Sequence, residues 1–213
     1  MGLEEWIKEQ LKLKGIHYFY YFCHIDNFEN IVKNGILPRN ETVKKSLLKI
    51  DAADQTVISF RHSKVARFSS NNTRNICDAV PLYLIPNTPT FYKHKEKEKF
   101  IFLLINSFII SKINEVEYVF TDGNAANLET NFFYNLKKLD QIPWDILRST
   151  DVDFNDKIII RKRCSEFLIF PKIDFKEIWK IAVLSENQKE IVNSILAKNG
   201  VNKDIEIKSE YYY

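Results

Sequence analysis

Glu166 stands in RKRCSEFLIF (161–170), between a basic cluster and an apolar run. A carboxylate at the mouth of a buried strand reads two ways. It is a solvated strand end, or a base held at the rim of a cleft. A second grouping is cationic. Between Asp54 and Asp78 the chain has no acidic residue, yet Arg61, Lys64, Arg67 and Arg74 all fall there. The three cysteines, Cys23, Cys77 and Cys164, are far apart and lack CxxC spacing. They support neither a zinc site nor a disulfide framework, so no metal is expected and a reducing cytoplasm is the expected compartment. Neither GxGxxG nor GxxxxGK[ST] occurs, and five glycines are few for a glycine-cradled phosphate site.

These residues need elements to hold them. The periodicity predicts an N-terminal amphipathic helix, a strand over IHYFYYFC (16–23), and a helix over 26–37 capped by Asp26 and ended by Gly35. A helix over 41–55 follows, then strands at 56–60, 80–85, 99–105 and 117–122. Leu128, Phe132, Leu136 and Leu139 recur at three and four positions, predicting a helix over 125–139. A short helix at 143–149, strands at 166–170 and 178–185, a helix at 187–200 and a strand at 201–209 complete the chain. Strands and short helices without strict βαβ alternation imply the α+β class.

The 213 residues, 45% of them apolar, are enough for one domain, 1–213, with a real core. FIFLLINSFII (100–110) is interrupted by Asn106 and Ser107 and is too short to span a bilayer, so no membrane partner is expected. The N-terminal segment is not a signal peptide, and Trp6 stands where a myristoylation signal needs Ser or Thr. A net charge of +3 alone implies no polyanion partner.

Six stretches in order carry a resemblance: CHIDNFENIVKNGIL (23–37), VPLYLIPNTPTFY (80–92), VFTDGNAA (119–126), FF (132–133), PWDIL (143–147) and SEFLIF (165–170). Together they resemble the DarT family, the toxins of DarT–DarG toxin–antitoxin systems, from about residue 16 to the final tyrosines. The resemblance implies an ADP-ribosyltransferase fold: a split mixed β-sheet with flanking helices around an NAD cleft. It implies transfer of ADP-ribose from NAD to a base, thymidine or guanosine, in single-stranded DNA; the alternatives are the same scaffold acting on RNA or protein, or a catalytically silent nucleic-acid-binding relative.

Carried over by position, the catalytic glutamate is Glu166 and the essential arginine is Arg61, with His62, Lys64 and Arg67 as neighbouring registers. Tyr83 is the tyrosine of the VPLY strand. Tyr21, Cys23, His24 and Asn27 are the NAD-side candidates. The chemistry agrees with these types. A carboxylate stabilises an oxocarbenium-like ribose and accepts a proton from the attacking base, and an arginine fork binds a diphosphate. Arg67, Phe68, Arg74 and Asn124 are the candidates for holding the DNA, by charge, stacking or hydrogen bonding. Each also has a structural reading: surface charge for the arginines, core for Tyr83, a hydrogen-bonded structural ring for His24, and a helix cap for Asn124.

The chain departs from the family at Tyr21 and Asn124, where histidines are common, and at PNTPT (86–90), which replaces PRSPM. The departures read as a branch with a different base preference. The implied partners are single-stranded DNA and a DarG-like macrodomain antitoxin, the protein itself acting as a monomer. As a cleft residue, Glu166 is expected to tolerate replacement by alanine without loss of folding.

Overall fold

In the computed structural model, which describes residues 2–51, 53–112 and 114–212, the amphipathic first segment forms α1 (Leu3–Leu13). It buries Ile7 and Leu11 against the turn at Ser107–Ser111. The aromatic run becomes β1 (Tyr18–His24). A 3-10 turn, Ile25–Asn27, leads into α2 (Phe28–Asn34). Asp26 lies inside that turn and does not cap α2 as expected; the His24 ring nitrogen accepts from its N–H instead. Gly35 ends α2 at φ +77°, and a Cβ there would stand 2.4 Å from the Ile173 carbonyl oxygen. Only glycine suits that left-handed, close-packed position.

Two expectations are corrected next. The helix expected over 41–55 is realised only as α3 (Arg39–Lys44), with Ser46 in left-handed backbone soon after; Ala52 lies outside the described residues. The strand expected at 56–60 is instead the helix α4 (Gln55–His62). The Asp54 carboxylate accepts from the N–H groups of Thr56 at 2.9 Å and Val57 at 3.4 Å, an N-cap that outweighs the β-propensity of Val57, Ile58 and Phe60.

A hairpin that the sequence did not announce follows, β2 (Val65–Arg67) and β3 (Thr73–Asn75). Then come β4 (Val80–Tyr83), α5 (Pro89–Tyr92), β5 (Phe100–Asn106) and β6 (Glu117–Thr121). The helix expected over 125–139 is absent among the described residues. Leu128 is 86% exposed, Phe132–Phe133 form β7 beside β6, and Leu136–Gln141 is a 3-10 segment. Asn124, Asn127 and Asn135 each accept from a backbone N–H two residues on, and these Asx turns compete with helical bonding. The chain continues as α6 (Trp144–Arg148), α7 (Lys157–Lys162), β8 (Glu166–Phe170), β9 (Ile178–Val183), α8 (Glu186–Lys198) and β10 (Asp204–Ile207).

Among the described residues, eight strands form one mixed sheet in the order β10-β9-β5-β1-β4-β8-β6-β7, antiparallel except for β9 with β10. The class is α+β, as expected. Within the sheet the pairing is uneven. β1 and β5 pair from Tyr18↔Asn106 to His24↔Phe100, but β1 meets β4 only at Tyr20↔Tyr83. The sheet is therefore two halves joined at a narrow seam. One face packs Phe19, Leu82, Leu103 and Phe167 against α1, α2 and α8 in the main core. The other face carries two smaller cores, around Phe68 and Leu168 on one half and around Phe91 and Phe102 on the other. No helix among the described residues is long and apolar enough to cross a membrane.

Candidate active site

Side chains alternate along a strand, and this aims Glu166 away from the main core. Phe167 and Ile169 enter that core, so Glu166 and Leu168 face the other side, as does Tyr83, the register partner of Glu166 on β4. Glu166 is 0% exposed. Its Oε1 accepts from the Ala125 N–H at 3.0 Å, and Arg61 Nη1 donates to its two carboxylate oxygens at 3.1 and 3.3 Å. Its own N–H donates to Thr121 Oγ1 at 3.0 Å, and that hydroxyl donates to the Gly123 carbonyl at 2.7 Å. The loop after β6 thus grips both ends of the residue.

Arg61 arrives from the last turn of α4 and is 8% exposed. Burial works against its charge, but the Glu166 carboxylate outweighs burial and leaves the guanidinium more firmly protonated than usual. Its Nη2 is buried and has no hydrogen-bond partner among the described residues. The Tyr83 phenol is pushed up by burial first and by Glu166 second, so it stays neutral, and its ring stacks on Phe22 at 5.7 Å. Burial raises the Cys164 thiol to about 11, where it is a poor nucleophile; its Sγ lies 3.3 Å from Thr90 Oγ1.

Arg61, Glu166 and Tyr83 therefore meet at the seam. Tyr21 and Cys23 do not join them: they project to the main-core face, beside a cleft of about 50 Å³ that Asn27 and Asn30 also line. Asn27 fastens the segment next to this cleft. Its Nδ2 donates to the Ile50 carbonyl at 2.8 Å, and its Oδ1 accepts from the N–H groups of Lys49 and Ile50. His24 is buried, edge-on to Phe100, with a ring nitrogen engaged by Asp26.

The expected DNA contacts fare unevenly. Phe68 is 0% exposed in the core under the β2–β3 hairpin, so it offers no ring face to a base. Arg74 is tied to Glu117 at 2.9 and 3.0 Å and lies 3.8 Å over Phe170, which makes it a structural cation. Arg67 is exposed, 4.8 Å over the Tyr134 ring. Asn124 makes an Asx turn with Ala126 and caps no helix.

Sequence reasoning missed three supports of Glu166: Thr121, Gly123 and the Ala125 N–H. A Cβ on Gly123 would stand 3.0 Å from Arg161 Cγ and 3.1 Å from its carbonyl oxygen. The signal was the TDG step at the end of β6, whose Thr121 and Asp122 the pattern assigns only to the strand over 117–122.

The family model described as "ssDNA thymidine ADP-ribosyltransferase, DarT" matches residues 20–213. A DNA ADP-ribosyl transferase of Thermus sp. (strain 2.9) is 25% identical over 209 residues, covering 91% of this chain and 95% of that protein. A fusion protein of DNA ADP-ribosyl transferase and DNA ADP-ribosyl glycohydrolase from Thermosipho africanus is 26% identical over 82% of this chain and 45% of its own length. Two solved structures of the Thermus sp. 2.9 protein share the fold. The complex with ADP-ribosylated ssDNA superposes with a TM-score of 0.81 at 23% identity, covering 93% of this chain and 97% of that one. The complex with NAD+ gives 0.76 at 22% identity, covering 93% and 98%.

Proposed function

The chain belongs to the DarT family of single-stranded DNA thymidine ADP-ribosyltransferases, and on that premise we propose that the seam between β1 and β4 takes NAD as substrate and passes its ADP-ribose to thymidine in single-stranded DNA. The observation that carries this reading is the buried Arg61–Glu166 pair with a donor to spare. Arg61 Nη2 is a charged, enclosed N–H with no acceptor among the described residues, and a diphosphate or ribose oxygen of NAD satisfies it.

The chemistry follows from the residues in place. The bond between C1′ of the ribose and the nicotinamide nitrogen breaks, and nicotinamide leaves with the electron pair. Glu166 stabilises the positive ring that remains. The only ring N–H of thymidine, at N3, then attacks C1′, and its proton passes to the Glu166 carboxylate. Arg61 holds the donor and neutralises the carboxylate between turnovers. In a duplex that N–H is paired, so the acceptor is single-stranded or flipped out. Tyr83, neutral and stacked, forms a wall of the site.

The protein acts as a monomer in the cytoplasm, as a toxin, and a macrodomain glycohydrolase reverses its mark; the Thermosipho fusion, which joins two such activities in one chain, supports that pairing. Incubation with NAD and oligonucleotides, read by mass, tests the reading. ADP-ribose is expected on single-stranded DNA that contains thymidine and is absent when thymidine is omitted. Labelling of guanosine, RNA or protein with unmarked thymidine would overturn it.

A further inference from the structure

Apart from Arg61, the Glu166 carboxylate is held by one backbone donor, the Ala125 N–H, 3.0 Å from Oε1. That donor belongs to the loop 122–131. Asp122 closes its neck, accepting from the Asn131 N–H at 2.9 Å and from Asn131 Nδ2 at 2.8 Å. Inside it, Thr130 Oγ1 and the Asn127 N–H both donate to the Asn124 carbonyl, at 2.7 and 2.9 Å. The loop is well knit within itself, but apolar packing ties it to the rest of the molecule only slightly. Ala125 is its one side chain in a hydrophobic core, and Leu128 at its tip is exposed. A single methyl group fixes a loop weakly.

Two cations supply the missing ties. Lys64 Nζ donates to the Asn127 carbonyl and lies 5.7 Å over the Phe132 ring. Arg161 Nη1 donates to the Glu129 carbonyl at 3.3 Å and lies 3.6 Å from Asp122 Oδ1, while the Arg161 carbonyl accepts from the Asn124 N–H at 3.0 Å. Their places in the chain matter. Lys64 comes three residues after Arg61, and its N–H donates to the Arg61 carbonyl at 3.1 Å. Arg161 comes five residues before Glu166. The two segments that deliver the ion pair therefore also grip the loop that orients its carboxylate.

We propose that Lys64 and Arg161 are positioning residues. By holding the carbonyls of Asn127 and Glu129, they keep the Ala125 N–H on Oε1 and fix the carboxylate at the angle that transfer requires. A misplacement of about 1 Å is enough to slow a reaction by orders of magnitude. The assignment rests on the transferase reading above and adds to it the parts that aim the base.

The test uses the full chain. Lys64→Met keeps the length of the side chain without its donor, and Arg161→Met removes the guanidinium. Each is expected to lower kcat for transfer by roughly 3- to 30-fold, because a bond to a charged oxygen is loosened. The KM for NAD and for the oligonucleotide is expected to change little. Lys64→Arg restores a donor and is expected to recover most of the lost kcat. Both residues act through one loop, so the double variant is expected to be no slower than the slower single, whereas independent roles multiply. Exchange of the Ala125 amide hydrogen, read without NAD or DNA, is expected to quicken by about 3- to 10-fold in Lys64→Met, the equivalent of one net hydrogen bond.

Unchanged Ala125 exchange in Lys64→Met would overturn the proposal, as would losses that multiply in the double variant. So would a Lys64→Met whose only change is a raised KM for the oligonucleotide with a shallower salt dependence, since Lys64 would then meet a phosphate. Lys64 is partly exposed, so its arm of the test stands even where Arg161→Met fails to fold. Absence of transfer by the unaltered protein would count against the transferase reading alone, because amide exchange still decides whether the loop is clamped.

Discussion

Arg61 Nη1 stands 3.1 Å from Oε2 and 3.3 Å from Oε1 of Glu166, across 105 residues of chain. Helix α4 brings one partner, strand β8 the other, and both are closed off from solvent. In such a pair each charge answers the desolvation of the other. Removing one partner strands its mate at a cost of about 3–5 kcal/mol.

Replacement of Glu166 therefore affects chemistry and stability together, and a polar replacement limits the loss of stability. Glu166→Gln keeps one oxygen for the Ala125 N–H and Arg61 Nη1 but removes the counter-charge, so it is expected to cost less stability than alanine and to lower transfer by about 10²–10⁴-fold through loss of the base. Glu166→Ala is expected to lose both activity and several kcal/mol, against the sequence expectation that alanine is harmless there, because the carboxylate is buried and paired. Thermal melts alongside nicotinamide release check this. An alanine variant that melts with the parent would show that the pair contributes nothing to folding.

Arg61 and Arg74 lie in the same basic stretch but have different partners. Arg61→Lys retains the charge, lacks the fork, and is expected to raise the KM for NAD and lower kcat while the protein stays folded. Arg74→Ala removes the Glu117 pair and the contact with Phe170. It is expected to cost about 0.5–1.5 kcal/mol in a denaturation midpoint, with NAD turnover within twofold. Steady-state kinetics decides, and equal losses in turnover would mean that the wrong arginine has been assigned.

Regularity decided what could be read from the chain. β1, β5, β8 and β9 are runs of apolar and aromatic residues, and α8 carries a capping serine, so both kinds of element were legible. Glu166 stood out because it opens such a run. Arg61 was reached through the resemblance, since nothing local tells a buried arginine at a helix end from a surface one. The failures came where side chains bond to their own backbone: Asp54 turned a β-prone run into α4, and the asparagines of 124–135 dissolved a helical stripe. Phe68 read as a stacking platform because burial beneath a hairpin depends on contacts made far away in the chain.

Gly123 gives a test of how tightly the loop after β6 must hold Glu166. A Cβ there meets both the side chain and the carbonyl oxygen of Arg161 at about 3 Å, so either Arg161 or the loop has to give by a few tenths of an ångström, and the carbonyl contact favours movement of the loop. The shift carries Ala125 N–H away from Oε1 of Glu166. Gly123→Ala is expected to cost about 1–3 kcal/mol of stability, as overpacking does, and to lower kcat more than it raises KM. Unchanged kcat with intact stability would mean that Arg161 yields and the loop does not.

The Asp51 carboxyl is held near 2, below its ordinary 3.8, chiefly by Arg39, which donates at 2.8 and 2.5 Å to its two oxygens. The folded value lies below the unfolded one, so the pair's stabilisation is present in full above about pH 4 and is lost as pH falls toward 2. Asp51 is partly exposed, which limits the contribution at neutral pH to about 1 kcal/mol or less. Asp51→Asn is thus expected to be slightly less stable than the parent at pH 6 and to converge with it as pH approaches 2. Ile50, which Asn27 clamps, is the next residue along the chain, but that segment lies beside Tyr21 and Cys23 and away from the Arg61–Glu166 pair, so the same variant is expected to leave the KM and kcat for NAD little changed. Urea midpoints at a series of pH values, with NAD kinetics at neutral pH, give both readouts. A stability difference that stays constant from pH 6 to pH 2.5 would show that the ion pair is not its source.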